Sequence, residues 1–172
     1  MKNTTKTIML AIALGLPLAA CSNASEHMDD SRTQNEPMRP VQSNMAMEKQ
    51  NVETVLLSYV KQITAKDLSA MEPYVLTKGQ EFTIFEGKGT NIGWADYRDN
   101  HLAPELANED LVFTKYDYIN LKTSVSGDLA TATFSIDAAY SYKGKDADHI
   151  GRGTAILKKI NGAWKIAHLH TS

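Results

Sequence analysis

The sequence has a single cysteine, Cys21, among its 172 residues. A lone cysteine excludes a disulfide within the chain, and it excludes a metal site built from several thiolates. Since Cys21 stands ahead of every segment that has a core pattern, the folded part has no thiol for catalysis. Any chemistry there depends on histidine, carboxylate, tyrosine, serine or lysine side chains.

The sequence also lacks an excess of charge of either sign, since its 18 lysines and arginines nearly balance its 20 aspartates and glutamates. Without a basic stripe, nucleic acid is not an expected partner.

The apolar run near the amino terminus spans only residues 8–16. Because a helix needs roughly 20 apolar residues to cross a bilayer, this run does not predict a transmembrane span.

The first 20 residues have the pattern of an export signal. Lys2 and Lys6 precede the apolar run, and Leu-Ala-Ala at residues 18–20 leads to Cys21. A charged start, an apolar centre and a small-residue cleavage site are typical of secretory signals. The last part resembles the lipobox of bacterial lipoproteins, whose cysteine is acylated before cleavage. We predict a signal peptide over residues 1–20 and a lipid anchor at Cys21; the alternatives are a retained helix and soluble secretion.

Residues 21–46 are predicted to be a flexible tether, because they are polar and poor in large aliphatic side chains. Ser22 stands where an aspartate is typical of inner-membrane retention, so the resemblance implies an outer-membrane lipoprotein facing the periplasm. Thioether and imidazole groups suit Cu(I), and such groups occur in this region and directly after it, at His27, Met28, Met38, Met45 and Met47. The other interpretation is an ordinary linker that contains methionines.

Residues 47–172 have the length of one domain. Apolar residues recur at three- and four-residue steps from residue 47 to 65, which predicts a helix. A short helix capped by Asp67, a strand over residues 80–85 and a third helix over residues 94–102 are predicted next.

The carboxyl-terminal half changes to the two-residue period of strands. Its β-branched and aromatic segments cover residues 111–125, 128–142, 149–160 and 163–171. Turn signals separate them at Ser126-Gly127, Lys143-Gly144 and Asn161-Gly162. Helices followed by an antiparallel meander predict an α+β fold, with the helices on one face of a curved sheet.

Two stretches carry a family resemblance. The first is Tyr59-Val60 with Ala65-Lys66-Asp67-Leu68, and the second runs from Gly153-Thr154-Ala155-Ile156-Leu157 to Asn161-Gly162-Ala163-Trp164-Lys165-Ile166-Ala167-His168. They make residues 47–172 similar to the nuclear transport factor 2-like superfamily, which includes SnoaL-like domains and ketosteroid isomerase. The resemblance implies a cone, in which a strongly curved antiparallel sheet wraps around N-terminal helices and encloses an apolar cavity. It also implies a homodimer through the outer sheet face, but it does not fix the chemistry.

The last predicted strand ends in a histidine pair, His168 and His170. Alternation places both on the same face as Trp164 and Ile166, and we predict that this face lines the cavity. With His101 from the third helix, the pair has a spacing that suits an open zinc or copper site. The other interpretation places His168 in a hydrogen bond within the wall and His170 in solvent, without metal.

The resemblance to ketosteroid isomerase implies catalytic roles for Tyr59, as an oxyanion-stabilising donor, and for Glu86, as a general base. The strand that carries the second donor in that enzyme, a protonated aspartate, has no carboxyl group here over residues 151–156. Losing one such donor costs about 2.7–4 kcal/mol, so steroid isomerisation is not predicted unless His168 or Thr154 substitutes.

Further candidate ligand-binding residues come from the same strand and from the third helix. Arg152 and Thr154 are predicted to face the cavity, where Arg152 would pair with Glu86 or with an anionic ligand. The alternative is an arginine at the rim, with its charge in water. Five other residues complete the set of candidates. The aromatic residues Trp94, Tyr97 and Tyr140 are expected to pack the interior, and the histidines are His101 and His170.

The sequence leaves three functions open. The first is a membrane-tethered module that binds a small, partly apolar ligand with little or no catalysis. The second is an acid–base enzyme of the isomerase, cyclase or dehydratase type, with Glu86 or His168 as base and Tyr59 as donor. The third is periplasmic copper or zinc binding by the histidines. No cofactor is predicted.

Overall fold

The computed structural model describes residues 40–172. The predicted signal peptide, Cys21 and the first part of the predicted tether lie outside the described residues. Helix α1 runs from Pro40 to Ala65 and thus begins seven residues before the expected start at Met47. The end of the segment predicted as tether is therefore helical. None of the helices in the described part is long and apolar enough to cross a membrane.

Helix α1 packs against the sheet through one apolar face. The predicted three- and four-residue spacing is confirmed, since Val52, Leu56, Tyr59, Val60 and Ile63 are all buried. A short 3₁₀ helix, Ser69–Tyr74, follows. Leu68 is at the N-cap, and Asp67, one residue before it, serves the predicted capping role because its Oδ1 accepts a hydrogen bond from the Ala70 amide at 3.0 Å.

Two short strands and a broken helix come next. Strand β1, Thr83–Glu86, forms a hairpin with β2, Gly89–Ile92. Helix α2, Trp94–Tyr97, continues through a π-helical turn, Arg98–Leu102, into α3, Ala103–Leu106. The wide turn ends two residues before Pro104, whose nitrogen has no proton for the helical ladder, and α3 continues through that proline.

The remaining chain forms the predicted meander of long strands. These are β3, Leu111–Ser126; β4, Leu129–Tyr142; β5, Lys145–Ile160; and β6, Ala163–Thr171. The sheet order is β2-β1-β6-β5-β4-β3, so the first strand pairs with the last. That pair, β1 with β6, is parallel, whereas every other pair is antiparallel. The α+β architecture with a curved, unclosed sheet over the helices confirms the predicted fold class.

The inner face of the sheet forms one core with α1 and α2. On β4 the predicted alternation is confirmed, since Ala130, Ala132, Phe134, Ile136 and Ala138 are buried. The ring of Phe134 stacks on that of Tyr118, with centroids 4.0 Å apart. It also covers Gly153, where an added Cβ would lie 2.1 Å from the Phe134 ring. Glycine is thus required on β5 so that this aromatic pair fits.

A β-bulge in β6 reverses which residues face the core. Ile166 pairs with Leu157 and His168 pairs with Ile156, so Ala167 has no partner in β5. Ile166 and Ala167 are both buried, and beyond them Leu169 is buried while His168 is half-buried. One extra residue in a strand shifts the two-residue alternation by one position.

Candidate ligand cavity

A cavity of about 430 Å³ opens between the sheet and α3. Its apolar wall comes from β3 and β4 and contains Leu111, Phe113, Tyr116, Ile136, Ala138 and Tyr140. Its polar groups come from β1, α3, β5, the end of β6 and the residue after it, and they are Glu86, Glu105, His149, Thr171 and Ser172. A concave, mostly apolar space of this size with a few convergent polar groups is typical of small-molecule sites.

Glu86 is the centre of the polar part. It stands at the end of β1, and its Oε2 accepts a hydrogen bond from the Tyr97 hydroxyl at 3.2 Å. The same oxygen lies 3.2 Å from Nε2 of His101, which is also 3.5 Å from Oε2 of Glu105. The π-helical turn and α3 position the last two side chains, which are four residues apart on adjacent turns. One imidazole therefore bridges two carboxylates.

Burial raises the pKa of two members of this cluster. It raises the pKa of the Tyr97 hydroxyl well above its usual range, with Tyr59 and the charge of Glu86 acting in the same direction. Tyr97 thus keeps its proton and donates a hydrogen bond to Glu86. Burial is also the main cause that raises the pKa of the Glu105 carboxyl, with the charge of Glu86 adding to it and His101 opposing it.

Tyr59 lies behind the cavity wall and not in it. Its side chain is buried in the core, where burial raises its pKa far above the usual range, followed by the charge of Glu86. The hydroxyl that does line the cavity belongs to Tyr116. A register shift between Phe113 and Lys115 brings Tyr116 onto the inner face. Sequence reasoning missed it, because a strict alternation from Phe113 would have turned this tyrosine outward.

The orientation predicted for His168 and His170 is wrong. Because of the bulge at Ala167, both imidazoles lie on the outer face of the sheet, away from the cavity wall. There Nδ1 of His168 is hydrogen-bonded to Oγ1 of Thr83 at 2.7 Å. The ring of Phe85 packs edge-on against both histidines, with centroids 5.1 and 6.4 Å away. His168 therefore cannot act as a base in the cavity.

The orientation predicted for Arg152 and Thr154 is wrong as well. Both are exposed on the outer face of β5, and Thr154 pairs with His170. The inner positions of this strand hold Gly151, Gly153, Ala155 and Leu157, all of which are buried. Glycine is needed at 153 because the Phe134 ring occupies the space above it, and at 151 an added Cβ would lie 2.8 Å from the Ser172 carbonyl oxygen. The cation that was expected to hold an anionic ligand thus lies outside the cavity.

The remaining predicted residues lie at or near the site in different ways. Tyr140 lines the wall, and His101 contacts Glu86 beside it. Trp94 and Tyr97 pack the interior, where each ring contacts Phe82. The three histidines of the metal hypothesis do not converge, because His101 is at the cavity while the other two are on the outer face. Within residues 40–172, no group of three or more metal-binding side chains is arranged to hold an ion.

Comparison with known proteins shows the family of the chain. Residues 52–172 match the family model of the SnoaL-like domain. None of the curated proteins that were compared with the chain matches it.

Solved structures share the fold at low sequence identity. A proposed ketosteroid isomerase from Shewanella frigidimarina has 23% identity and a TM-score of 0.60, over 71% of this chain and 94% of that one. A proposed dehydratase of the NTF2-like family from Streptomyces avermitilis has 17% identity and a TM-score of 0.64, over 74% and 96%. The association domain of C. elegans CaMKII has 16% identity and a TM-score of 0.61, over 76% and 98%. At these identities the likeness shows the fold alone.

Proposed function

The chain belongs to the SnoaL-like domain family, and from that premise we propose that its cavity binds a small, partly apolar molecule. The observation that supports this most is the combination of an apolar wall with one polar cluster around Glu86. An apolar body would lie against β3 and β4, and a polar group would meet the carboxylate. Binding sites of this kind take affinity from the wall and orientation from the few polar groups.

Chemical-shift mapping tests this proposal with 2-phenylethanol, a neutral probe that has an aromatic body and one polar end. Titration of the ¹⁵N-labelled chain should shift the amides of Leu111, Ile136 and Ala138, which belong to the cavity wall. The amides of Thr154 and His170, on the outer face, should stay unchanged. Shifts confined to the outer face, or no shifts at millimolar probe, would contradict the proposal.

A second candidate function is acid–base catalysis with Glu86 as the base. The observation that favours it is that a carboxylate and the Tyr116 hydroxyl line the same apolar cavity. Burial and the charges of Glu86 and Glu105 raise the pKa of Tyr116, so its hydroxyl stays protonated and can donate to a developing oxyanion. The inner face of β5 offers no carboxyl group as a further donor. Proton abstraction beside a carbonyl is therefore better supported than steroid isomerisation.

Glu86→Gln is expected to slow proton abstraction by about 10²–10⁴-fold if the cavity is catalytic, since it removes the general base and keeps the side-chain shape. The measurement is deuterium exchange at the carbon next to the carbonyl of phenylacetone, followed by NMR. His168→Ala serves as the matched control, because His168 lies on the outer face, and its exchange rate should equal that of the wild type. Equal rates in Glu86→Gln and the wild type would exclude the catalytic role.

The cavity domain is also proposed to be held at a membrane. The charged start, the apolar run and the Leu-Ala-Ala-Cys sequence support acylation at Cys21, and Ser22 supports delivery to the outer membrane with the domain in the periplasm. The homodimer implied by the family resemblance remains a prediction. Sedimentation of the chain would test it, and Ile150, an exposed apolar residue on the sheet, is a suitable position for a disrupting substitution.

A further inference from the structure

The charge of the cavity wall has one sign. Glu86 and Glu105 contribute carboxylates, and no lysine or arginine lies among the described residues that line the space. The groups at the site that can carry positive charge are the imidazoles of His101 and His149. Since Arg152 is on the outer face, an anionic ligand would meet two carboxylates without a permanent counter-charge. The wall thus disfavours anions.

Aromatic rings line the apolar side of the same space. Phe113 lies between Tyr116 and Tyr140, with ring centroids 5.4 and 5.9 Å from theirs. All three belong to the cavity wall. Aromatic faces attract cations, and they also provide a large surface for an apolar body. Carboxylates and aromatic rings around one cavity are a combination that suits an organic cation.

A buried hydroxyl gives independent information about the ligand. Thr171 is 6% exposed and lines the cavity, yet its Oγ1 forms no hydrogen bond with any described residue. Buried polar atoms are almost always paired, and leaving one unpaired costs free energy. Thr171 pairs with Glu86 in the parallel β1–β6 register, so the hydroxyl and the carboxylate are neighbours on one face. With the Thr171 hydroxyl turned toward the cavity, a group that donates two or more hydrogen bonds could serve both oxygens.

We infer that the cavity selects a protonated primary or secondary amine on an apolar, preferably aromatic, body. The ammonium group would donate to Glu86 and Thr171, with Glu105 adding negative charge, and the body would pack on Phe113 and Tyr140. A quaternary ammonium lacks N–H donors, so it cannot form a hydrogen bond with the Glu86 carboxylate, which only accepts. This inference rests on the proposed function, because it names the ligand class for the same cavity.

Three probes of similar shape test the selection of an amine separately from the proposed binding of a small, partly apolar molecule. They are 2-phenylethylamine, 2-phenylethanol and 3-phenylpropanoate. The full chain with Cys21→Ser is used, so that no detergent competes for the cavity, and affinities come from cavity-wall amide shifts at about pH 7.5. The amine should bind at least about tenfold more tightly than the alcohol, and the acid most weakly, because charge-assisted hydrogen bonds exceed neutral ones.

The double variant Glu86→Gln and Glu105→Gln should bring the affinities of the amine and the alcohol to within about threefold of each other. The matched control, Asp117→Asn with Asp137→Asn, removes equal charge from the outer face of β3 and β4 and should keep the preference for the amine. If the alcohol or the acid binds in the cavity as tightly as the amine, the inference is overturned while the proposed function stands. If none of the three shifts the wall amides, both are overturned.

Discussion

Ala138→Trp is expected to lower the affinity for 2-phenylethanol and 2-phenylethylamine at least about 100-fold, equivalent to about 2.8 kcal/mol. Ala138 is 3% exposed, faces inward on β4 and lines the cavity. Its neighbours in register are Tyr116 on β3 and His149 on β5, which also line the cavity. An indole at this position would project into the space that the probe needs. The measurement is the same amide titration.

The adjacent residue offers a matched control, because Ala139 is partly exposed on the opposite face of the same strand. Ala139→Trp adds the same side chain outside the cavity and should leave both affinities within about twofold of the wild type. Circular dichroism and urea unfolding establish that each variant folds. Overpacking is expected to cost Ala138→Trp about 1–3 kcal/mol of stability, which a domain of this size tolerates. A folded Ala138→Trp variant with unchanged affinity would refute the assignment of the cavity.

Cys21→Ser is expected to move the protein almost completely from the membrane fraction to the soluble fraction. Burial of each CH₂ of an acyl chain contributes about 0.8 kcal/mol, and a single myristoyl-length chain gives only marginal binding, so stable anchoring needs a second chain. The Leu-Ala-Ala-Cys sequence resembles a lipobox, and this resemblance implies more than one acyl chain on Cys21. Fractionation, together with the intact mass of the protein, measures this effect.

A second substitution separates anchoring from delivery. Ser22→Asp should leave acylation intact and shift the protein from the outer to the inner membrane, which density-gradient separation of the membranes detects. If Cys21→Ser stays in the membrane fraction and the wild-type mass shows no acyl chains, the anchor is not at Cys21. A retained amino-terminal helix would then replace the lipoprotein proposal.

The parts of the fold that follow from sequence are those in which local periodicity and tertiary packing agree. The buried face of α1 repeats every three to four residues, and the inner face of β4 repeats every two. The hairpin turns after β3, β4 and β5 contain Gly127, Gly144 and Gly162, each with a positive φ that suits glycine. In such segments the spacing of the apolar residues indicates both whether the segment is a helix or a strand and which of its faces is buried.

The site was harder to predict, because its strands depart from regular alternation. The bulge at Ala167 reverses the direction of His168, and the register shift before Lys115 brings Tyr116 inward. Neither irregularity contains a glycine or a proline that would mark it. On β5, Gly153 makes room for the Phe134 ring, and an added Cβ at Gly151 would meet the Ser172 carbonyl and the His149 ring, which no local pattern in the sequence indicates.

Other parts of the site follow from contacts that no local pattern encodes. Glu86 was identified by family resemblance, but its partners Tyr97 and His101 come from a helix that the fold brings to the end of β1. Glu105 follows His101 by four residues, a spacing that could have indicated the pair. Thr171 could not be recognised, because an unpaired hydroxyl is a property of the folded core.

The most direct measurement is to identify the small molecules that the protein retains when it is purified from its own cells. Wild-type and Ala138→Trp chains, prepared in parallel, are denatured and the released compounds are compared by mass spectrometry. The wild type should release a partly apolar compound in near-stoichiometric amount, and the variant should release none of it. Identical compounds from both chains, or none from either, would contradict a ligand-binding role for the cavity.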